Sequence, residues 1–360
     1  MIDSQMLQRL QAIGLTPQIQ SRLHTLPDDN DAPFLLRVSE VHRDALALHD
    51  GDHEHSARAR PALLQALADA GDALAAGDWV LCSRNSWREW WVHSRVPPLN
   101  QLARRLHDGR DKVTRAVIVA NVDTALLVMG LDHDFNLRRL ERYLALVRAA
   151  GIGALVVLNK ADLCAQAVTR LAEVRAMLPP DIAAVAVNAL GGEVAGRLAP
   201  WLGVGQTLVL LGSSGAGKST LTNALLGAAM QNTGGTRAGD QRGRHTTTSR
   251  SLHRLDCGAC IVDTPGLRTL RLDGDEGALD AVFGDIATLA LRCRFRDCRH
   301  QGEPGCAVLP AAAPERLRNY RKLQREAERD RMSALDRQRQ VAQWKARGRA
   351  ARARIESKRG

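Results

Sequence analysis

At 360 residues, with 45% apolar and 25% charged residues, the chain has room for two to three domains and the composition of an ordinary globular protein. No apolar run approaches the roughly 20 residues that span a bilayer, and "MIDSQMLQRLQAIG" has neither the basic start nor the apolar core of a signal peptide, so a cytoplasmic protein with no membrane partner is expected. The net charge of +11 is uneven: Pro314 to Gly360 holds sixteen Lys and Arg against six Asp and Glu, which points to a polyanionic partner, nucleic acid being the commonest.

Residues 1–33 begin with Met6, Leu7, Leu10 and Ile13 at helical spacing and end in the turn-rich "LPDDNDAP". "FLLRVSEVHRDALALHDG" alternates imperfectly, as a pair of strands would. "GDWVLCSR" and "REWWVHSRV" are short β-type runs on either side of the turn-prone "NS". These strands predict a small β-barrel ending near Pro97 and Pro98. Trp79, Trp87, Trp90 and Trp91 fall within it, either as core or as stacking platforms for RNA bases. "LNQLARRLHDGRDK" reads as a basic linker.

From Val113 the pattern changes. "AVIVANVDTALLVMGL" is a buried run of parallel-strand type, and "LRRLERYLALVRAAG" has helical spacing with a glycine at its end. "GALVVLNKADL" is a strand entering a loop, "AVTRLAEVRAML" a helix, and "IAAVAVNAL" a strand. "GQTLVLLGSSGAGKSTLTNALLG" reads as strand, loop and helix, and "ACIVDTPGL" as a last strand and loop. Strands alternating with helices predict an α/β domain with a mainly parallel sheet. A Cys/His cluster follows Ala278, then a polar helix from about Pro314.

"GSSGAGKS" fits the phosphate-loop pattern G-x-x-x-x-G-K-[ST]. Its backbone N–H groups must turn inward around phosphates, and Gly212 and Gly217 permit the angles this needs. Gly212, Ser213, Ser214, Gly215, Ala216 and Gly217 form the cradle. Lys218 is expected on the β- and γ-phosphates and the Ser219 hydroxyl on Mg²⁺, with Thr220 continuing the helix start. "NKAD", Asn159 to Asp162, separates GTP from ATP. A carboxylate at Asp162 accepts from guanine N1–H and the 2-amino group, whereas adenine would leave one oxygen unpaired. Asn159 would tie the loop to its neighbours, Ala161 continues it, and the Lys160 stem would cover the ring.

"DTPG" follows the apolar "CIV". Asp263 would reach Mg²⁺ through water and the Gly266 N–H would meet the γ-phosphate. Upstream, the Gly-rich "NTGGTRAGDQRGRHTTTSR" suits a mobile loop over the nucleotide. One of Thr246, Thr247 and Thr248 is expected to complete the Mg²⁺ shell, Thr247 in first place. Cys293, Cys298, His300 and Cys306 have the spacing C-x4-C-x-H-x5-C, three thiolates and an imidazole of the kind that closes a structural zinc site. Seven cysteines in a chain without an export signal argue against a disulfide framework. "CGAC", Cys257 to Cys260, sits in a predicted hairpin without a second pair and reads as structural.

The order of "ANVD", "NKADL", "GSSGAGKSTLTNAL", "RHTTT", "DTPG" and "CRFRDCRHQGEPGCAV" resembles the circularly permuted, ribosome small subunit-dependent GTPases, over roughly Phe34 to Tyr320. The resemblance implies an N-terminal OB-fold. It also explains why the guanine reader precedes the phosphate loop: the domain has been cut and rejoined at another point on its surface, which compact domains with nearby ends tolerate. Two positions depart from common GTPase patterns. Asn188 stands where a serine is expected beside the base, leaving the Ala189 N–H as the contact. Leu267 stands where many GTPases carry a glutamine that orients water, an apolar choice that the family shares. Intrinsic hydrolysis is therefore expected to be slow. His245 is the nearest polar candidate to position water, and is equally well an ordinary loop histidine.

The expected architecture is multi-domain: a helical extension (1–33), an OB-fold RNA-binding domain (34–108), a circularly permuted GTPase domain (109–274), a zinc-binding module (275–313) and a basic helical tail (314–360). The expected function is GTP hydrolysis during late maturation of the small ribosomal subunit, with turnover stimulated by the subunit. Expected ligands are GTP or GDP with Mg²⁺, one structural zinc, and the subunit's rRNA, bound by a monomer. The rival reading is an RNA-binding switch that uses GTP binding without significant turnover.

Overall fold

The computed structural model describes residues 4–26, 34–107, 113–227, 251–263 and 276–331. The chain divides into two compact units, Met1–Arg105 with Arg115–Leu270, and Leu106–Thr114 with Arg271–Gly360.

The first unit opens with α1 (Ser4–Gln11) and α2 (Pro17–Leu23). α2 starts where it does because the Thr16 hydroxyl accepts the Ile19 N–H at 3.3 Å and Pro17 fills the first helical position. Leu10, Ile13, Leu15 and Ile19 are buried, so this arm is part of the core.

A five-stranded barrel follows: β1 (Phe34–Val41), β2 (Leu46–His49), β3 (Glu54–Ala59), β4 (Trp79–Arg84) and β5 (Trp90–Arg95). The strand order β1-β2-β3-β5-β4 closes because β1 also pairs with β4. α3 (Pro61–Asp69) lies between β3 and β4, the OB-type arrangement. Leu36, Val38, Leu48, Val80, Cys82 and Val92 fill the barrel. The imperfect alternation of β1 has a physical cause. Leu36 and Val38 point into the barrel, while Leu35, Arg37 and Ser39 on the opposite face are also buried. Trp79 is fully buried, whereas Trp87, at the tip of the β4–β5 hairpin, is 83% exposed.

The basic "linker" contains a strand instead: β6 (Gln101–His107) pairs with β7 (Val113–Ala120) as a separate ribbon. Its Leu102 is buried, a signal masked by the surrounding arginines. The long apolar run from Val117 also divides. β7 stops at Ala120 because Asn121 adopts φ 54°, and β8 (Thr124–Gly130) begins three residues later. The Asn121 side chain holds this corner, accepting the Leu99 N–H at 2.8 Å and donating to the Gly77 carbonyl at 3.0 Å.

β8, β9 (Gly153–Asn159), β10 (Ala183–Ala186), β11 (Thr207–Leu211), β12 (Ser251–Arg254) and β13 (Cys260–Asp263) complete the unit. β10, β9, β8, β11 and β13 are parallel neighbours in that order. β12 runs antiparallel both to β13 and to β1 of the barrel, pairing Ser251 with Glu40, so one sheet continues from the α/β domain into the barrel. α4 (Leu137–Ala149), α5 (Ala167–Met177), α6 (Val194–Leu198) and α7 (Lys218–Leu226) accompany the parallel strands. The core joins Leu126, Val157, Leu210, Leu221 and Ile261.

The second unit contains α8 (Glu276–Val282), α9 (Gly284–Ala290), the Cys/His loop, α10 (Val308–Ala311) and α11 (Pro314–Arg331). The Phe283 and Tyr320 rings meet edge to face at 5.3 Å and fix α11 on α8 and α9. Arg316, the first basic residue of the tail, lies over the Phe283 ring and pairs with Asp285 at 2.9 Å, so it serves the module's own packing. Residues 332–360, most of the basic tail, lie outside the described residues. No described helix is long and apolar enough to cross a membrane.

Beneath the barrel, Asp78 is almost wholly enclosed. One of its oxygens accepts the Ala75 N–H at 2.8 Å, Arg95 Nη1 stands 3.9 Å away, and the other oxygen meets no donor among the described residues. Burial pushes its carboxyl up to about 7 against the pull of Arg95. The folded chain thus retains a proton here that the unfolded chain, with a pKa of about 3.9, has released. The folded-state pKa is the raised one, so this stabilisation is full below pH ~4 and is lost as pH rises towards 7. The melting temperature of the wild type should therefore fall relative to that of Asp78→Asn as pH is raised from 5 to 8. Parallel melting curves across that range would show that Asp78 titrates normally.

Candidate functional site

Because β8, β9, β11 and β13 are parallel, their C-terminal ends emerge on one edge, where open α/β sheets bind ligands. Asn159 ends β9, the phosphate loop leaves β11 after Leu211, and Asp263 ends β13, buried at 7% exposure.

The phosphate loop turns from β11 into α7, and two of its glycines are sterically required. A Cβ on Gly212 would lie 2.2 Å from the Val128 carbonyl oxygen of the neighbouring strand. A Cβ on Gly217, whose φ is 92°, would lie 2.1 Å from Asn159 Nδ2. Any other residue would force the loop off β8 or break its link to the "NKAD" loop. At the start of α7 the Lys218 ammonium donates to the Gly212 carbonyl at 2.9 Å and the Ser213 carbonyl at 2.7 Å, which holds it across the mouth of the loop. Ser214, Gly215 and Ser219 are exposed, Ala216 is buried and Thr220 is half-buried.

Asn159 joins three loops. It is 2% exposed; its Nδ2 donates to the Ala216 carbonyl of the phosphate loop and its Oδ1 accepts the Ala189 N–H, both at 3.0 Å. The Ala189 N–H, expected to face the base, is therefore committed to Asn159. The reason is local: Asn188 accepts the Leu190 N–H at 2.9 Å, a tight turn that directs the next amide inward. Lys160 adopts φ 61° and donates to the Gly215 carbonyl and to Asp132 Oδ2, each at 2.7 Å. Burial works against ionisation of Asp132, but the Lys160 hydrogen bond and charge and the Asp134 N–H outweigh it and hold the carboxyl below its ordinary range. Ala161 gives its N–H to the Val187 carbonyl at 3.1 Å, and Asp162 stands exposed beyond it, open to a ligand. Asp132 and its neighbour Asp134 are absent from the sequence-based site. Their signal was "GLDHDFN", polar residues at the end of the strand beside the phosphate loop. His245, Thr247 with Thr246 and Thr248, Gly266 and Leu267 lie outside the described residues.

In the second unit Cys293, Cys298, His300 and Cys306 place their ligand atoms within 4.8 Å of one another and could hold a metal ion. His300 Nδ1 lies 3.7 Å from Cys293 Sγ and 3.5 Å from Cys306 Sγ. The Ala307 and Leu309 amides donate to Cys293 and Cys306 Sγ, each at 3.4 Å. Glu303 accepts the Gln301 and Arg299 amides at 2.6 and 3.1 Å and folds the loop back on itself.

Asn159→Ala would strand the Ala216 carbonyl and the Ala189 amide and unlink the loops. GDP binding measured by titration calorimetry should weaken about tenfold or more, and wild-type affinity would show that the loops are held by other contacts.

Residues 97–273 match the model of the RsgA GTPase family. The chain is 43% identical over 293 residues to the small ribosomal subunit biogenesis GTPase RsgA of Xanthomonas campestris pv. campestris (strain B100), covering 80% of this chain and 79% of the relative. It is 47% identical over 255 residues to the protein of the same name from Xylella fastidiosa (strain 9a5c), covering 69% and 72%. The crystal structure of YjeQ from Thermotoga maritima aligns with a TM-score of 0.60 at 24% identity, covering 81% of this chain and 98% of that one. YloQ, a circularly permuted GTPase, aligns with a TM-score of 0.57 at 21% identity, covering 83% and 96%. With an α/β sheet in which "NKAD" precedes the phosphate loop, and with relatives of this identity over most of its length, the chain belongs to the RsgA GTPase family.

Proposed function

We propose that this chain hydrolyses GTP during late maturation of the small ribosomal subunit and that its turnover rises when it docks on that subunit. The observation that carries the proposal is the Asn159 junction, which draws the phosphate loop, "NKAD" and the Asn188–Ala189 loop together at one sheet edge. Lys218 holds the β- and γ-phosphates, and Asp162 reads guanine N1–H and the 2-amino group. Ser219, exposed at the start of α7, and Asp263, at the end of the adjacent parallel strand, form an oxygen donor set suited to Mg²⁺. Bound with the nucleotide, that ion neutralises charge on the phosphate oxygens. The roles proposed for Thr247 in the Mg²⁺ shell, Gly266 on the γ-phosphate and His245 beside the attacking water rest on sequence.

The basic charge of the tail and the exposed Trp87 of the barrel support rRNA as the docking partner. Trp87 stands exposed between Arg84 and Arg88 at a hairpin tip, where a base can stack on it, whereas the buried Trp79 is closed to any such role. Action on ribosomes also favours a cytoplasmic site. The three thiols and one imidazole suit zinc, which would be held by Cys293, Cys298, His300 and Cys306 in a closed structural role.

Two measurements test this reading. GTP turnover with small subunits should exceed turnover with large subunits or alone by about tenfold or more, and the stimulation should fall steeply with salt. Equal rates in all three conditions would favour a binding switch without turnover. Protein purified without chelator should carry one zinc per chain, and Cys298→Ser should lose it while binding GDP as the wild type does. A zinc-free wild type would remove the metal assignment.

A further inference from the structure

We infer that the loop between β8 and α4, residues 131–136, is a further clamp on the nucleotide site beside the Asn159 junction, in which Asp134 positions the phosphate loop through Ser213 and Asp132 positions it through Lys160. Asp134 is 8% exposed and lies close to a loop that binds polyphosphate, an unfavourable place for a carboxylate unless it has work there. It accepts the Ser213 hydroxyl and, through its second oxygen, the Gly130 N–H at 3.1 Å. The Arg139 guanidinium donates both to this carboxylate and to the Asp134 backbone carbonyl, offsetting its charge. Ser213 in turn offers its carbonyl to the Lys218 ammonium at 2.7 Å, so a chain of contacts runs from Arg139 through Asp134 and Ser213 to the phosphate-binding lysine. Asp132 acts on a separate point of the same loop, through Lys160 and the Gly215 carbonyl. The loop itself is tied down: Asp132 Oδ1 accepts the Asp134 N–H at 3.0 Å, and Asn136 caps α4 through the Arg139 N–H at 3.0 Å.

The sign of the effect separates positioning from simple electrostatics. Removing Asp134 removes a negative charge near the phosphates, and on charge alone GDP would bind more tightly. If Asp134 instead holds Ser213 in place, its loss weakens binding, because nucleotide must then order the loop itself. The contact is made to the protein and not to the reacting phosphate, so ground and transition states lose equally.

The inference rests on the GTP-site reading above, and Lys218→Ala serves as its control. In GDP titrations with Mg²⁺, Asp134→Ala and Ser213→Ala should each weaken binding about tenfold, and the double variant should be no weaker than either single one. For Asp134→Ala, the KM for GTP should rise similarly while intrinsic kcat stays within about twofold. Unchanged or tighter GDP binding by Asp134→Ala, or losses that add in the double variant, would overturn the clamp. Should Asp134→Ala fail to fold by its melting curve, Ser213→Ala decides: wild-type GDP affinity in that variant also overturns it. If Lys218→Ala leaves GDP binding intact, the site reading fails instead.

Discussion

Assembly of the first unit turns on a cation sealed from water. The Arg37 guanidinium is fully buried, and desolvation drives its pKa down although Cys260, Asp123 and Asp78 pull it up. Its donors reach the Ile13 carbonyl in the N-terminal arm, the Gly77 carbonyl below the barrel, the Asn121 carbonyl at the β7–β8 corner, and the Thr207 hydroxyl at the start of β11. The Trp79 ring lies 5.5 Å from it. A buried charge left without partners costs several kcal/mol, so the arm, the barrel and the α/β sheet must all be in place for Arg37 to be satisfied. Arg37 thereby makes the assembly of the three segments interdependent.

Thr207 links this junction to the chemistry. It opens β11, and five residues later the same strand delivers Gly212 into the phosphate loop. At the far edge of the sheet Asn159 does with amide hydrogen bonds what Arg37 does with a charge, joining loops that are distant in the chain. Permutation places "NKAD" earlier in the sequence, but the parallel register of β8, β9 and β11 depends on neighbours in space, so the loops are brought together whichever comes first.

The α/β domain was legible because its motifs stand at the ends of buried strands, where periodicity and loop chemistry agree. Lys218, Asn159 and Asp263 fall where those patterns put them. Elements whose amphipathic signal is short or diluted were not legible. β6 is hidden among arginines, α3 buries no residue completely, and α8 to α10 precede or follow a loop read only for its ligands. The direction of the Ala189 amide depends on a turn made by the Asn188 side chain, and the use of Arg316 depends on Asp285, 31 residues away. The Asp132 and Asp134 contacts have the same character: their partners lie 28 and 79 residues off, and no local pattern connects them.

The pairing of Ser251 with Glu40 has a further meaning. β12 is the last strand of the α/β sheet, and an uncovered strand there would offer free amides and carbonyls to any passing chain. β1 of the barrel occupies that edge. It pairs with β4 from Phe34 to Arg37 and with β12 at Glu40, while its register against β2 shifts between Val38 and Glu40. The barrel is thus a built-in guard against self-association of the α/β domain. A fragment cut between the two would keep its motifs but gain an adhesive edge.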